Sequence, residues 1–153
     1  MTEEQERLLA IVHTWQPSAK PEMRDFRCAA CQNYMTGEVW HRWLISSEFR
    51  TPVHLCDSCD PKFRTDELTL APAITGLNRE DAGYVYPPEI AEQFRKIFFR
   101  WPVASAPVRK QIVCDDCNQP LPETKGYHVW WNDRGVLTEL HFDLACAAKF
   151  GTI

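Results

Sequence analysis

Apolar positions along this chain switch between helical and strand spacing, and the switches mark out its elements. Leu8, Ile11, Val12 and Trp15 recur at helical spacing, behind a Thr2–Gln5 pair that has the form of a capping box. An N-terminal amphipathic helix is therefore expected, ending near Gln16-Pro17. Residues 38–45 (EVWHRWLI) and 51–55 read as strands. Residues 65–87 are weakly patterned, with Pro72, Gly76, Gly83 and Pro87 as punctuation. Pro88 then suits the first turn of a second helix in which Ile90, Phe94, Ile97, Phe98 and Trp101 share one face. Pro102 stops it, and residues 104–107 look like a short linker. Strand spacing returns at 127–132 and 136–142. Phe99 lies about 180° from Ile90 on a helical wheel of 3.6 residues per turn, so it should point toward a partner or another part of the chain. No apolar run approaches the roughly 20 residues of a membrane span.

The two strand regions are copies of one another. Sliding residues 40–63 by 87 positions aligns His41 with His128, Trp43 with Trp130, Thr51 with Thr138 and His54 with His141. Cys59, Lys62 and Phe63 likewise meet Cys146, Lys149 and Phe150, giving seven identities in 24 positions, where chance would give one or two. The seven cysteines follow the same plan. Cys28-x-x-Cys31 precedes Cys56-x-x-Cys59, and Cys114-x-x-Cys117 precedes Asp143-x-x-Cys146.

Each cysteine-framed segment is about 32 residues long, too short to bury an adequate apolar core unaided. A metal crosslink answers that deficit, because structural zinc supplies folding free energy on the order of 10 kcal/mol. Paired CxxC turns and an odd cysteine count favour metal over disulfides. The opening Met1-Thr2-Glu3-Glu4 shows no apolar leader, so a reducing, cytoplasmic setting is expected, with the nucleus as an alternative. A CxxC turn, a hairpin and a short helix carrying the last two ligands resembles the treble-clef group of zinc fingers, over residues 28–63 and 114–150. The resemblance implies a small α+β protein of two duplicated treble-clef-like zinc modules, each knuckle, β-hairpin and short helix, plus an N-terminal and a connecting helix. The expected organisation is a helical segment 1–20, module 24–66, a connecting segment 67–107 with its helix at 88–101, and module 108–153.

Two Zn²⁺ per chain are expected, held by Cys28, Cys31, Cys56 and Cys59 and by Cys114, Cys117, Cys146 and one further residue. His141 is the stronger donor by chemistry, since imidazole outranks carboxylate in structural sites. Register argues for Asp143, which occupies the Cys56 slot, whereas His54, the counterpart of His141, stands beside a complete set of four thiols. Asp143 is alternatively an N-cap of the final helix. Both residues remain candidates.

Charge shapes the functional reading. The formal net charge is −4, and ionised zinc-bound thiolates make the metal-loaded chain more negative still. It lacks the global field of a typical nucleic-acid binder. Six tryptophans in a small chain suggest apolar surface spent on contacts between modules or with another protein. The first expectation is thus a non-enzymatic zinc-binding adaptor with a protein partner. The second is nucleic-acid binding through Arg95, Lys96, Arg100, Arg109 and Lys110, interleaved with Phe98, Phe99 and Trp101, and helped by Arg24, Arg27, Arg42, Arg50 and Arg64. The third is a degenerate nuclease. VWHRW and HLCDSCD resemble the His-Asn-His type of treble-clef nuclease, which implies His41 as base and Asp60 near a metal. The second histidine and the asparagine of that pattern are missing, so no catalytic residue is assigned.

Elemental analysis should find two tightly bound zinc ions per chain. Under graded chelator the four-thiolate site should release its ion last, because a harder ligand replaces one sulfur in the other. Residue-resolved NMR would follow the order of release.

Overall fold

The computed structural model describes residues 2–15, 17–18, 20–63, 68–69, 86–100, 108–121 and 125–150. Within them the chain is α+β, with three α-helices and two small sheets. The order is α1 (Glu3–His13), β1 (Glu22–Asp25), β2 (Glu38–Ile45), β3 (Arg50–Leu55), β4 (Leu68–Thr69), α2 (Pro88–Phe99), β5 (Val108–Gln111), β6 (Lys125–Asp133), β7 (Val136–Phe142) and α3 (Leu144–Ala148). The capping box forms, with the Gln5 backbone N–H donating to Thr2 Oγ1 at 3.2 Å and the Thr2 backbone N–H donating to Gln5 Oε1 at 2.9 Å. α1 stops at His13, slightly before the expected Gln16-Pro17. α2 starts at Pro88 as expected and buries Ala91, Phe94, Ile97 and Phe98. Trp101 and Arg64 lie outside the described residues.

Each hairpin takes its outer strand from in front of the other copy's first knuckle. β1 precedes Cys28 yet pairs antiparallel with β6, with Glu22 opposite His128. β5 precedes Cys114 yet pairs antiparallel with β2, with Val108 opposite His41. The sheets are therefore β1-β6-β7 and β3-β2-β4, with β5 also on β2. The strand pairings are antiparallel except the short β2–β4 pair, and an isolated Phe49–Leu137 bridge is also parallel. Each knuckle is tied to its own hairpin, the Ala29 N–H donating to His54 O at 2.9 Å and the Asp115 N–H to His141 O at 2.8 Å. The sheets meet edge to edge where Thr138 Oγ1 donates to Arg50 O at 2.9 Å and the Glu139 N–H donates to Thr51 Oγ1 at 3.2 Å.

The core runs through both sheets. Phe26, just before the first knuckle, is buried against His54, His128 and His141, with ring centroids 4.7 to 5.8 Å away. α2 bridges the two hairpins: Phe98 packs edge-on against Trp43 and Trp131, and Phe94 packs edge-on against Trp131 and Phe150 and stacks on Phe142. Trp15, beyond α1, contacts Phe49 of one hairpin and Trp130 of the other.

The short helix expected to carry Cys56 and Cys59 is instead a turn followed by a 3₁₀ turn, Asp60–Lys62. Its counterpart α3 is a true helix of five residues because Asp143 caps it, Oδ1 accepting from the Cys146 N–H at 2.7 Å. Cys56 fills that slot in the first copy and offers no carboxylate cap.

Phe26→Ala should cost about 3–5 kcal/mol in urea denaturation. Because Phe26 touches both hairpins, hydrogen exchange should quicken in β3 and in β6–β7 together.

Candidate metal centres

Each first CxxC turn is built the same way. The N–H of the residue after the second cysteine, Gln32 or Asn118, donates to the carbonyl of the first cysteine at 2.9 Å. Both residues adopt positive φ, 65° and 63°, a conformation in which Asn is among the better-tolerated side chains. The tight turn sets two thiols side by side, and the segment after β3 or β7 brings the other pair of ligands.

Two compact donor sets result. In Cys28, Cys31, Cys56 and Cys59, and again in Cys114, Cys117, Asp143 and Cys146, the ligand atoms all lie within 4.8 Å of one another. Tetrahedral zinc with Zn–S bonds near 2.3 Å requires sulfurs about 3.8 Å apart. Cys31 Sγ and Cys56 Sγ stand 3.9 Å apart. The seven cysteines are free thiols, so the donor chemistry and spacing fit zinc at both positions. Burial raises the Cys28 and Cys114 thiols. At Cys56 burial works upward too, but the Cys59 backbone N–H and the neighbouring thiols outweigh it and lower the thiol to about 7.

Of the two candidates for the eighth position, Asp143 lies in the cysteine set and His141 does not. Asp143 Oδ2 faces Cys117 Sγ at 3.2 Å while Oδ1 caps α3, so one carboxylate caps the helix and stands among the thiols. Burial opposes ionisation of Asp143, but the Cys146 N–H and the adjacent thiol groups prevail and lower its pKa. His141 does not reach the cysteines. It lies two residues earlier on β7, and its side chain turns to a separate group with His128 and Glu139.

That group sits where the two copies meet. His41 pairs with His54 across β2–β3, and His128 with His141 across β6–β7. The rings of His54 and His141 are 5.1 Å apart, joining the pairs into one row of four imidazoles. Burial pushes His54 well below the usual imidazole range and brings His41 down to about 4, and it also lowers His141. Burial pushes Glu139 up, but the facing imidazoles outweigh it and hold the carboxyl well below its usual value. Asp115, whose Oδ2 accepts the His141 N–H at 2.6 Å, is driven well up by burial. The sequence reading gives His128 only its place in the repeat and passes over Glu139. The signal was available: the period of two puts Glu139 and His141 on one face, and the hairpin register sets His128 opposite.

A cleft flanks each side of the row. The larger, about 430 Å³, is lined by Arg24, Phe26, His54, His128 and Glu139 among others. The smaller, about 100 Å³, is lined by the matching Lys110, Ile112, His141, His41 and Pro52. Repeat-related positions thus line both clefts, but Glu139 lines the larger one while its counterpart Pro52 borders both.

The nuclease residues do not converge. Asp60 is buried in an ion pair with Arg42, Oδ1 to Nε 2.5 Å, while His41 Nδ1 contacts the Val39 carbonyl at 3.2 Å. No protein-family model, curated protein or solved structure matches the chain. No helix among the described residues is long and apolar enough to cross a membrane.

Asp143→Ala should release the second zinc and shorten α3, whereas His141→Ala should retain both tightly held ions. Elemental analysis after gel filtration reads the difference, and Asp143→Cys should keep two ions.

Proposed function

We propose that the chain is a non-enzymatic adaptor in which two zinc-held, treble-clef-like modules form one scaffold for a protein partner. The observation that carries this reading is Phe99, whose side chain is 66% exposed at the end of α2. It borders a groove of about 310 Å³ that Phe98, Trp131, Val136 and Arg50 also line. An exposed aromatic beside an aromatic-walled groove, with a cation at its edge, has the composition of a protein-binding hot spot.

The charge arrangement favours this over nucleic-acid binding. Arg95 donates to Asp133 at 3.0 Å, Arg100 to the carbonyls of Asp115 and Asp116, and Arg109 to Glu38 at 2.6 Å and to Asp57. These arginines are matched internally by acidic residues, which weakens the field that a phosphate backbone would meet. The Arg42–Asp60 pair likewise removes Asp60 from any role at His41, leaving the nuclease reading without a converging set of groups.

Affinity capture from native extract should recover a partner with the wild-type chain and lose it with Phe99→Glu, while zinc content and thermal unfolding stay unchanged. Equal recovery by the variant would sink the Phe99 surface. Salt-sensitive retention on DNA or RNA, with no protein captured, would return the nucleic-acid reading.

A further inference from the structure

We propose that His128, Glu139 and His141 form a third cation site, for a first-row divalent metal, set between the two modules and reached through the larger cleft. Their ligand atoms lie within 4.8 Å of one another. Both imidazoles meet the same oxygen, Glu139 Oε1, His128 through Nδ1 at 3.3 Å and His141 through Nε2. Nitrogen and oxygen donors about 2.0–2.2 Å from a common metal stand roughly 3–3.5 Å apart, so small adjustments would seat an ion among them. Two imidazoles and one carboxylate are an N/O set suited to Zn²⁺, Fe²⁺, Co²⁺ or Mn²⁺, distinct in character from the thiolate-rich sites.

Three further observations point to a ligand here. Glu139 is largely buried, and the imidazoles of His128 and His141 both face its carboxylate. A carboxylate withdrawn from water calls for a compensating charge. His128 is only 7% exposed, with Nδ1 turned to Glu139 and Nε2, on the other side of the ring, buried with no hydrogen-bond partner. His128 and Glu139 both line the 430 Å³ cleft, which gives the ion and any water or anion completing its coordination a way in. The repeat supplies an internal contrast, because Pro52 replaces the carboxylate in the first copy and the matching cleft is only about 100 Å³. The site belongs to one copy alone.

The test uses the full chain with its two tight zinc ions in place, and Co²⁺ as the probe. Wild type should take up one further equivalent of Co²⁺ by titration calorimetry. Its visible spectrum should lack the intense thiolate-to-cobalt bands that a cysteine site would give. Glu139→Gln and His128→Ala should abolish this uptake while elemental analysis still finds two zinc ions. A measurement on wild type alone guards against a variant that fails to fold. Added Mn²⁺ should broaden the NMR signals of His128, Glu139 and His141 before those of the cysteine turns. Absence of a third equivalent, undiminished uptake by folded Glu139→Gln, or broadening centred elsewhere would overturn the proposal. None of these results bears on Phe99, so the adaptor reading stands or falls separately.

Discussion

Neither hairpin of this protein completes its own sheet. β6 receives the strand that leads into the first CxxC turn, and β2 receives the strand that leads into the second. Everything else hangs on that reciprocal exchange. It carries Phe26 from one copy into contact with the histidines of both, and it lets each cleft be walled by a knuckle from one copy and a hairpin from the other. Zinc at the two donor sets would reinforce it: a knuckle fixed by an ion would also fix the strand that enters it, and so the sheet edge of the other copy.

The second copy diverged in matched steps. Arg42 and Asp60 form a buried ion pair in the first copy, while their counterparts are Val129 and Ala147, both buried and apolar. Losing one member would strand a buried charge at a cost of about 3–5 kcal/mol, whereas exchanging both for apolar groups is often neutral or better. Asp143 stands where the first copy has Cys56, with a different outcome: the set has one thiol fewer, but the carboxylate both faces the cysteines and caps a helix the first copy lacks. Pro52 and Glu139 form the third contrast. Proline has no side-chain donor, and glutamate brings a charge into the row of imidazoles.

Local signals were readable in the sequence where the physics is local. The capping box at Thr2, the proline start of α2 and the strands at 38–45 and 136–142 all follow from period, propensity and caps within a few residues. So did the outward position of Phe99, which follows from helical angle alone. The cysteine spacing identified both donor sets, and the register of the repeat placed Asp143 beside the thiols. Strand exchange left no such trace. Residues 22–25 and 108–111 are short and mostly exposed, without an alternating apolar face, and their pairing is decided by which sheet edge lies nearby. The group at His128, Glu139 and His141 stayed hidden for a related reason, since it emerges only once the register of β6 against β7 is known.

The reciprocal strands have an evolutionary reading. Two copies that each lend the other an edge strand have the geometry of a domain-swapped dimer written into a single chain. Linking the copies raises the effective concentration of each borrowed strand, and it ties the fate of one copy to the other. A chain cut down to either half would leave its hairpin with a bare sheet edge, the kind of surface that recruits further copies of itself. Shedding either copy would therefore uncover the seam at which the borrowed strand pairs.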